Sequence, residues 1–306
     1  MRPLRRALVL AALLAPVVAA HADPTADPAT RGTFETRGVE IVARPGGEKV
    51  RLDARLPNAP GPRPVVLVVN GWAASVHMFD STAEHFASRG FAAVLVQTSR
   101  WGLDPSDWAK EIRRAIDALE LASKDAASPA AGALDLSRIS VVGHSYGGAA
   151  AIVAAGDDPR IKNVVALAPV NQWHKGHVKD QAAALTVPLL VVAGEKDGLA
   201  GPKSFPIPFF EAATVSPAKL YVEVKGGSHN FYQDRRDHDP QRDEAWRFAT
   251  AWLERFSGIA ADTGGWTDGS AAARETAAGR LSGTRGGATP EATPTRGLVR
   301  SLGATP

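Results

Sequence analysis

Cysteine is absent from all 306 residues. That excludes disulfides, thiolate metal sites, a cysteine nucleophile and lipoprotein acylation, so the fold must rest on its core alone. Long hydrophobic runs are missing as well. The one extended apolar stretch, residues 7–20, falls short of the roughly 20 residues that a spanning helix needs. It follows a basic leader, Met1-Arg2-Pro3-Leu4-Arg5-Arg6, and precedes the small-x-small site Ala20-His21-Ala22. This order predicts a secretory signal peptide, residues 1–22, cut after Ala22, and hence a periplasmic or secreted product with no stable membrane anchor. An excess of one charge is also lacking. The leader holds three of the 35 basic residues and no acid, so its removal leaves 32 bases against 32 acids. That balance does not favour nucleic acid or anionic lipid as a partner.

What is present, 44% apolar and 22% charged residues, is the composition of a globular domain. Residues 23–257 are expected to form it. Residues 39–44 and 49–56 flank Pro45-Gly46-Gly47, and Val50, Leu52, Ala54 and Leu56 alternate, which predicts an antiparallel hairpin. Short apolar runs follow at residues 64–70, 91–98, 139–143, 164–168, 189–193 and 220–224. Such runs are typical of parallel strands covered on both faces. Helical spacing separates most of them, in Phe79, Ala83 and Phe86, in Trp108, Ile112, Ile116 and Leu119, and in Ala245, Phe248, Trp252 and Phe256. The expected architecture is α/β: a doubly wound, mostly parallel sheet with an antiparallel N-terminal hairpin and no large lid. Residues 258–306 turn to Gly, Ala, Thr, Pro and Arg, and are expected to be a disordered low-complexity tail, too poor in apolar surface to offset its ordering entropy.

Three motifs carry chemistry. Gly143-His144-Ser145-Tyr146-Gly147 matches G-x-S-x-G, a weak signal alone in a chain with 29 glycines. Its context is stronger, since it joins a buried strand to a run of small residues that opens a helix. A serine hydroxyl needs a base in reach, and the base needs an orienting acid. Gly194-Glu195-Lys196-Asp197 follows one later strand and Gly226-Gly227-Ser228-His229-Asn230-Phe231 the next. Serine, acid and histidine thus leave the carboxyl edge of one sheet, where open α/β folds bind ligands. The candidates are Ser145 as nucleophile, His229 as general base and Asp197 as acid, with Glu195 and His238 as rivals.

Together with Asn70-Gly71-Trp72-Ala73-Ala74, these motifs resemble the α/β-hydrolase superfamily, and within it the dienelactone-hydrolase-like and cutinase-like polyester hydrolase group. The resemblance runs from about Val39 to Phe256. It implies an ester hydrolase passing through an acyl-enzyme, with the Trp72 and Tyr146 backbone N–H groups as oxyanion hole and no cofactor. The chain departs from bacterial polyester hydrolases in carrying Trp72 where a tyrosine or phenylalanine is usual, Tyr146 in place of methionine, and Val170 near the position where a tryptophan is usual. Dienelactone hydrolases proper use a cysteine nucleophile. An amidase or peptidase using the same residues, and a non-catalytic binding protein on the same scaffold, remain alternatives.

Trp72, Trp101, Tyr146, Trp173 and Phe231 fall on loops at that same edge and are candidate contacts for a hydrophobic or aromatic substrate. His174, His177 and Asp180 are read as a solvated loop rather than a metal site. The glycine-rich turn at Gly143 lacks the lysine of a phosphate-binding loop.

Overall fold

The computed structural model describes residues 27–99, 104–172, 175–234, 239–262 and 264–287. The leader read in residues 1–22 lies outside them, and among the described residues no helix is long and apolar enough to cross a membrane. The strands are β1 (Thr36–Ala43), β2 (Val50–Pro57), β3 (Arg63–Val69), β4 (Ala92–Val96), β5 (Leu134–His144), β6 (Ile161–Leu167), β7 (Leu189–Gly194), β8 (Lys219–Val224) and β9 (Leu281–Gly286). They form one sheet in the order β1-β2-β4-β3-β5-β6-β7-β8-β9. The hairpin β1–β2 is antiparallel, the six strands from β4 to β8 in that order run parallel, and β9 returns antiparallel on β8.

The helices are α1 (Asp80–Ser88), α2 (Pro105–Lys124), α3 (Tyr146–Asp157), α4 (Lys175–Ala183), α5 (Pro206–Ala212), α6 (Pro240–Phe256) and α7 (Ser270–Ala277). Asp104 caps α2 by accepting from the Ser106 N–H at 2.8 Å, with Pro105 opening the first turn. The face of α2 that the spacing singled out, Trp108, Ile112, Ile116 and Leu119, is fully buried. Strand β7, most of β3 and the carboxyl halves of β5 and β6 are buried on both faces for the same reason. Helices cover them on either side.

The chain leaves β3 toward β4 on one side and, after α2, enters β5 on the other. The carboxyl ends of β3 and β5 therefore flank a topological switch point, the place where a crevice opens in such sheets.

Two expectations are corrected here. The disordered tail expected over residues 258–306 is corrected for its described part, because α7 and β9 lie within 264–287, and β9 pairs with β8 over Leu220↔Gly286 to Val224↔Leu281. A segment too poor in apolar groups to fold alone is ordered by an existing strand edge that supplies its backbone partners. The domain thus continues past 257 to 287, while 288–306 lie outside the described residues. His177 and Asp180 sit in α4 rather than in a loop.

At the other end, the polar residues before β1 pack rather than dangle. Asp27 forms an ion pair with Arg247 at 2.9 Å, and the Pro28 carbonyl lies 3.0 Å from Nε2 of His85. That imidazole is buried, bonded also to Thr250 Oγ1 at 2.9 Å and stacked on Trp246. Burial, reinforced by Arg89, pulls its pKa down to about 3. An unfolded histidine gains a proton below its ordinary value of about 6.5, whereas the folded one refuses it until about pH 3. Stability from this group is therefore complete above the ordinary value and lost as pH falls. His85→Gln is expected to shrink the loss of unfolding free energy between pH 7 and pH 4 by about 3 kcal/mol, measured by urea denaturation at both pH values. An unchanged loss would refute a neutral buried His85.

Candidate active site

Ser145 sits at the turn from β5 into α3 with φ 58° and ψ −120°, a conformation that disfavours any side chain. The flanking glycines explain why the turn can be made. A Cβ on Gly143 would collide with the Gly147 carbonyl, and one on Gly147 with the carbonyl of Asn70. The Ser145 N–H is tied to the Leu167 carbonyl at 2.8 Å, so the strained turn is anchored to β6. Ala73 and Ala168, the other non-glycine residues with positive φ among those described, lie on the same rim of the sheet.

Asp197 stands three residues beyond β7 and His229 five beyond β8, and the structure brings both to Ser145. Nε2 of His229 is 2.9 Å from Oγ of Ser145, and Nδ1 is 2.8 Å from Oδ2 of Asp197. The other carboxylate oxygen of Asp197 accepts the N–H groups of Leu199 at 2.9 Å and Ala200 at 2.7 Å. Burial alone would raise the Asp197 pKa. The His229 bond and these two backbone donors outweigh it and hold the carboxyl below its usual value, ionised. Glu195, the rival acid, instead accepts the Gly226 N–H at 2.8 Å. The rival His238 lies outside the described residues.

Ser145 opens onto a cavity of about 420 Å³ whose lining includes Trp72, Tyr146, Val170, Leu199 and His229. Tyr146 is the first residue of α3, so its N–H belongs to the positive end of that helix. Gly71 lies so close that a Cβ there would stand 3.1 Å from Cβ of Ser145, which sets the Trp72 loop directly against the serine. Burial raises the Tyr146 phenol pKa, against a backbone hydrogen bond from Gln172. The hydroxyl stays neutral, and the ring end of Tyr146 is an uncharged wall.

Of the candidate substrate contacts, Trp72 and Tyr146 line this cavity, and Trp101 and Trp173 lie outside the described residues. Phe231 does not line it. It is 4% exposed, its ring 3.8 Å from that of Tyr232 and against Gly227. The loop doubles back after His229, turning Phe231 into the core. The cavity also uses residues the motifs did not mark: Met78, Gln172, Leu199 and Gln233. Leu199 alone left a sequence signal, as the apolar residue two places after Asp197 on a polar loop. Among the described residues no group of three His, Cys, Asp or Glu side chains is placed to hold a metal ion.

The family model described as PET hydrolase-like matches residues 18–268. Cutinase 2 of Thermobifida cellulosilytica is 28% identical over 173 residues, 56% of this chain and 60% of that protein. Cutinase est2 of Thermobifida alba is 29% identical over 173 residues, 56% of this chain and 53% of that protein. A bis(hydroxyethyl) terephthalate hydrolase of Streptomyces coelicolor is 24% identical over 194 residues, 62% of this chain and 56% of that protein. The chain thus spans little more than half the length of the relatives it matches. Sheet order, the strained serine turn and a family match over most of the residues converge: the chain belongs to the PET hydrolase-like family, on an α/β-hydrolase fold.

Proposed function

We propose that this protein is a serine hydrolase that cleaves carboxylic esters through an acyl-enzyme. The observation that carries the reading is the unbroken chain of hydrogen bonds from Asp197 through His229 to Ser145 at the floor of an open cavity. Ser145 Oγ attacks the ester carbonyl while Nε2 of His229 takes its proton. Asp197 keeps Nδ1 protonated and stabilises the imidazolium. The backbone N–H groups of Trp72 and Tyr146 face the developing oxyanion. His229 returns the proton to the departing alcohol, then draws one from the water that attacks the acyl-serine and passes it to Oγ of Ser145 as the acid leaves. No cofactor enters these steps.

An apolar or aromatic ester is the substrate class the rim supports. Trp72 and Leu199 are 43% and 57% exposed at the cavity mouth, and Met78 and Val170 add apolar wall. The names of the relatives, cutinases and a terephthalate-ester hydrolase, point the same way. The leader read in residues 1–22 supports an exported enzyme.

The test is covalent labelling. A fluorophosphonate should add to one residue, located at Ser145 by peptide mass mapping, and p-nitrophenyl butyrate should be hydrolysed far faster than the matched anilide. A protein that neither labels nor turns over the ester is not a serine hydrolase. Equal rates on ester and anilide would move the assignment to an amidase.

A further inference from the structure

His144 is the residue before the serine, and nothing in the relay described above uses it. Its imidazole is 2% exposed, and its Nε2 lies 2.8 Å from the main-chain carbonyl oxygen of His229. A carbonyl only accepts, so Nε2 must carry a proton and donate it. The ring is confined on the remaining sides. Its centroid is 5.6 Å from that of Phe79, 5.4 Å from Tyr232 and 4.9 Å from the His229 ring itself. Its Nδ1 is 2.9 Å from where a Gly71 side chain would begin, so the loop carrying Trp72 closes the last side. Tyr232 is held in turn by its hydroxyl, which donates to the Val192 carbonyl at 2.9 Å. His144 cannot easily move away from the carbonyl it binds.

Resting on the serine-hydrolase reading, we infer that His144 is a positioning residue that fixes the His229 loop relative to Ser145 through the His229 main-chain carbonyl. The loop from Gly226 to Asn230 follows a strand end and bears the base; its glycine end is tied to the Glu195 carboxylate and the Lys196 N–H, each at 2.8 Å, three and two residues before His229. Asp197 holds the imidazole ring, but a ring bond does not fix the His229 peptide itself. The His144 bond fixes that backbone. Because His144 is joined covalently to Ser145, nucleophile and base then share one rigid frame. A misplacement of about 1 Å between reacting groups can cost about 100-fold in rate, so the expected signature is a loss in kcat and not in KM.

Three variants separate this role from packing. His144→Phe keeps the ring and removes the donor. His144→Gln places an amide N–H near the position of Nε2, and His144→Asn carries a donor too short to reach. The expected result is that Phe and Asn lower kcat on p-nitrophenyl butyrate by about 10- to 100-fold, with KM within about 3-fold and fluorophosphonate labelling slowed in parallel. Gln should keep kcat within about 5-fold of the parent. If packing alone matters, Phe will equal or exceed Gln, and the inference is overturned; equal losses in all three, or a change confined to KM, overturn it as well. The parent protein is the separate control. Its failure to label would end the serine-hydrolase reading itself, whatever the variants do.

Discussion

Ser145→Ala is expected to lower kcat/KM for p-nitrophenyl butyrate by about 10⁴- to 10⁶-fold, the range lost when the nucleophile of such a relay is removed. Melting temperature should barely change, because alanine inherits the same backbone. Ser145→Gly should be equally inactive and more stable. The turn holds φ 58° and ψ −120°, and a non-glycine residue in so sparsely populated a region costs about 1–3 kcal/mol. Glycine removes that cost but gives back up to about 1 kcal/mol through the greater freedom of the unfolded chain. A net gain of about 1 kcal/mol remains, seen as a melting temperature about 3 °C above that of Ser145→Ala. Parental activity in Ser145→Ala would remove the serine from the mechanism. Equal stability of the two variants would show that the turn stores no strain, even if the chemistry stood. The pair thus measures what the chain gives up in stability to lift one hydroxyl above the sheet.

The parts legible in the sequence share a physical cause. Strands such as β3, where Val65, Val66, Leu67, Val68 and Val69 are all buried, announce themselves because only a strand covered on both faces tolerates so many consecutive branched aliphatics. The three site motifs were legible because each follows such a strand, and parallel strands deliver their carboxyl ends to one rim. The walls of the cavity were legible only at Trp72 and Tyr146. Met78 comes from a single helical turn, Val76–Phe79, and Gln233 from the loop beyond His229, neither of which has a period to betray its direction. Phe231 misled for a related reason: proximity to His229 in sequence said nothing about the reversal that buries it. The pairing of β9 was hidden more deeply. Leu281-Ser282-Gly283-Thr284-Arg285-Gly286 has one large apolar residue and no alternation, and its strand conformation comes from the β8 edge rather than from its own side chains.

That dependence gives the C-terminal segment a measurable role. Leu281 is 2% exposed opposite Val224, the last residue of β8, and the Arg280 carbonyl accepts the Lys225 N–H at 3.0 Å. Four residues past Lys225 stands His229. The preceding stretch is seated too, with Ala271 and Ala272 buried in α7 and the Trp266 ring edge-on to Phe248 of α6, centroids 5.2 Å apart. Leu281→Asp would place an unpaired carboxylate where an apolar side chain is enclosed, a change that costs about 3–5 kcal/mol. In a domain of this size it should lower the melting temperature by about 10 °C. Losing the β9 pairing also frees the base of the His229 loop, so the fraction of protein still folded should show a reduced kcat with little change in KM. Thr284→Asp, at an exposed position of the same strand, should shift the melting temperature by no more than about 2 °C. If Leu281→Asp melts with the parent, β9 is not held against β8 in solution, and the support it gives to the catalytic loop falls with it.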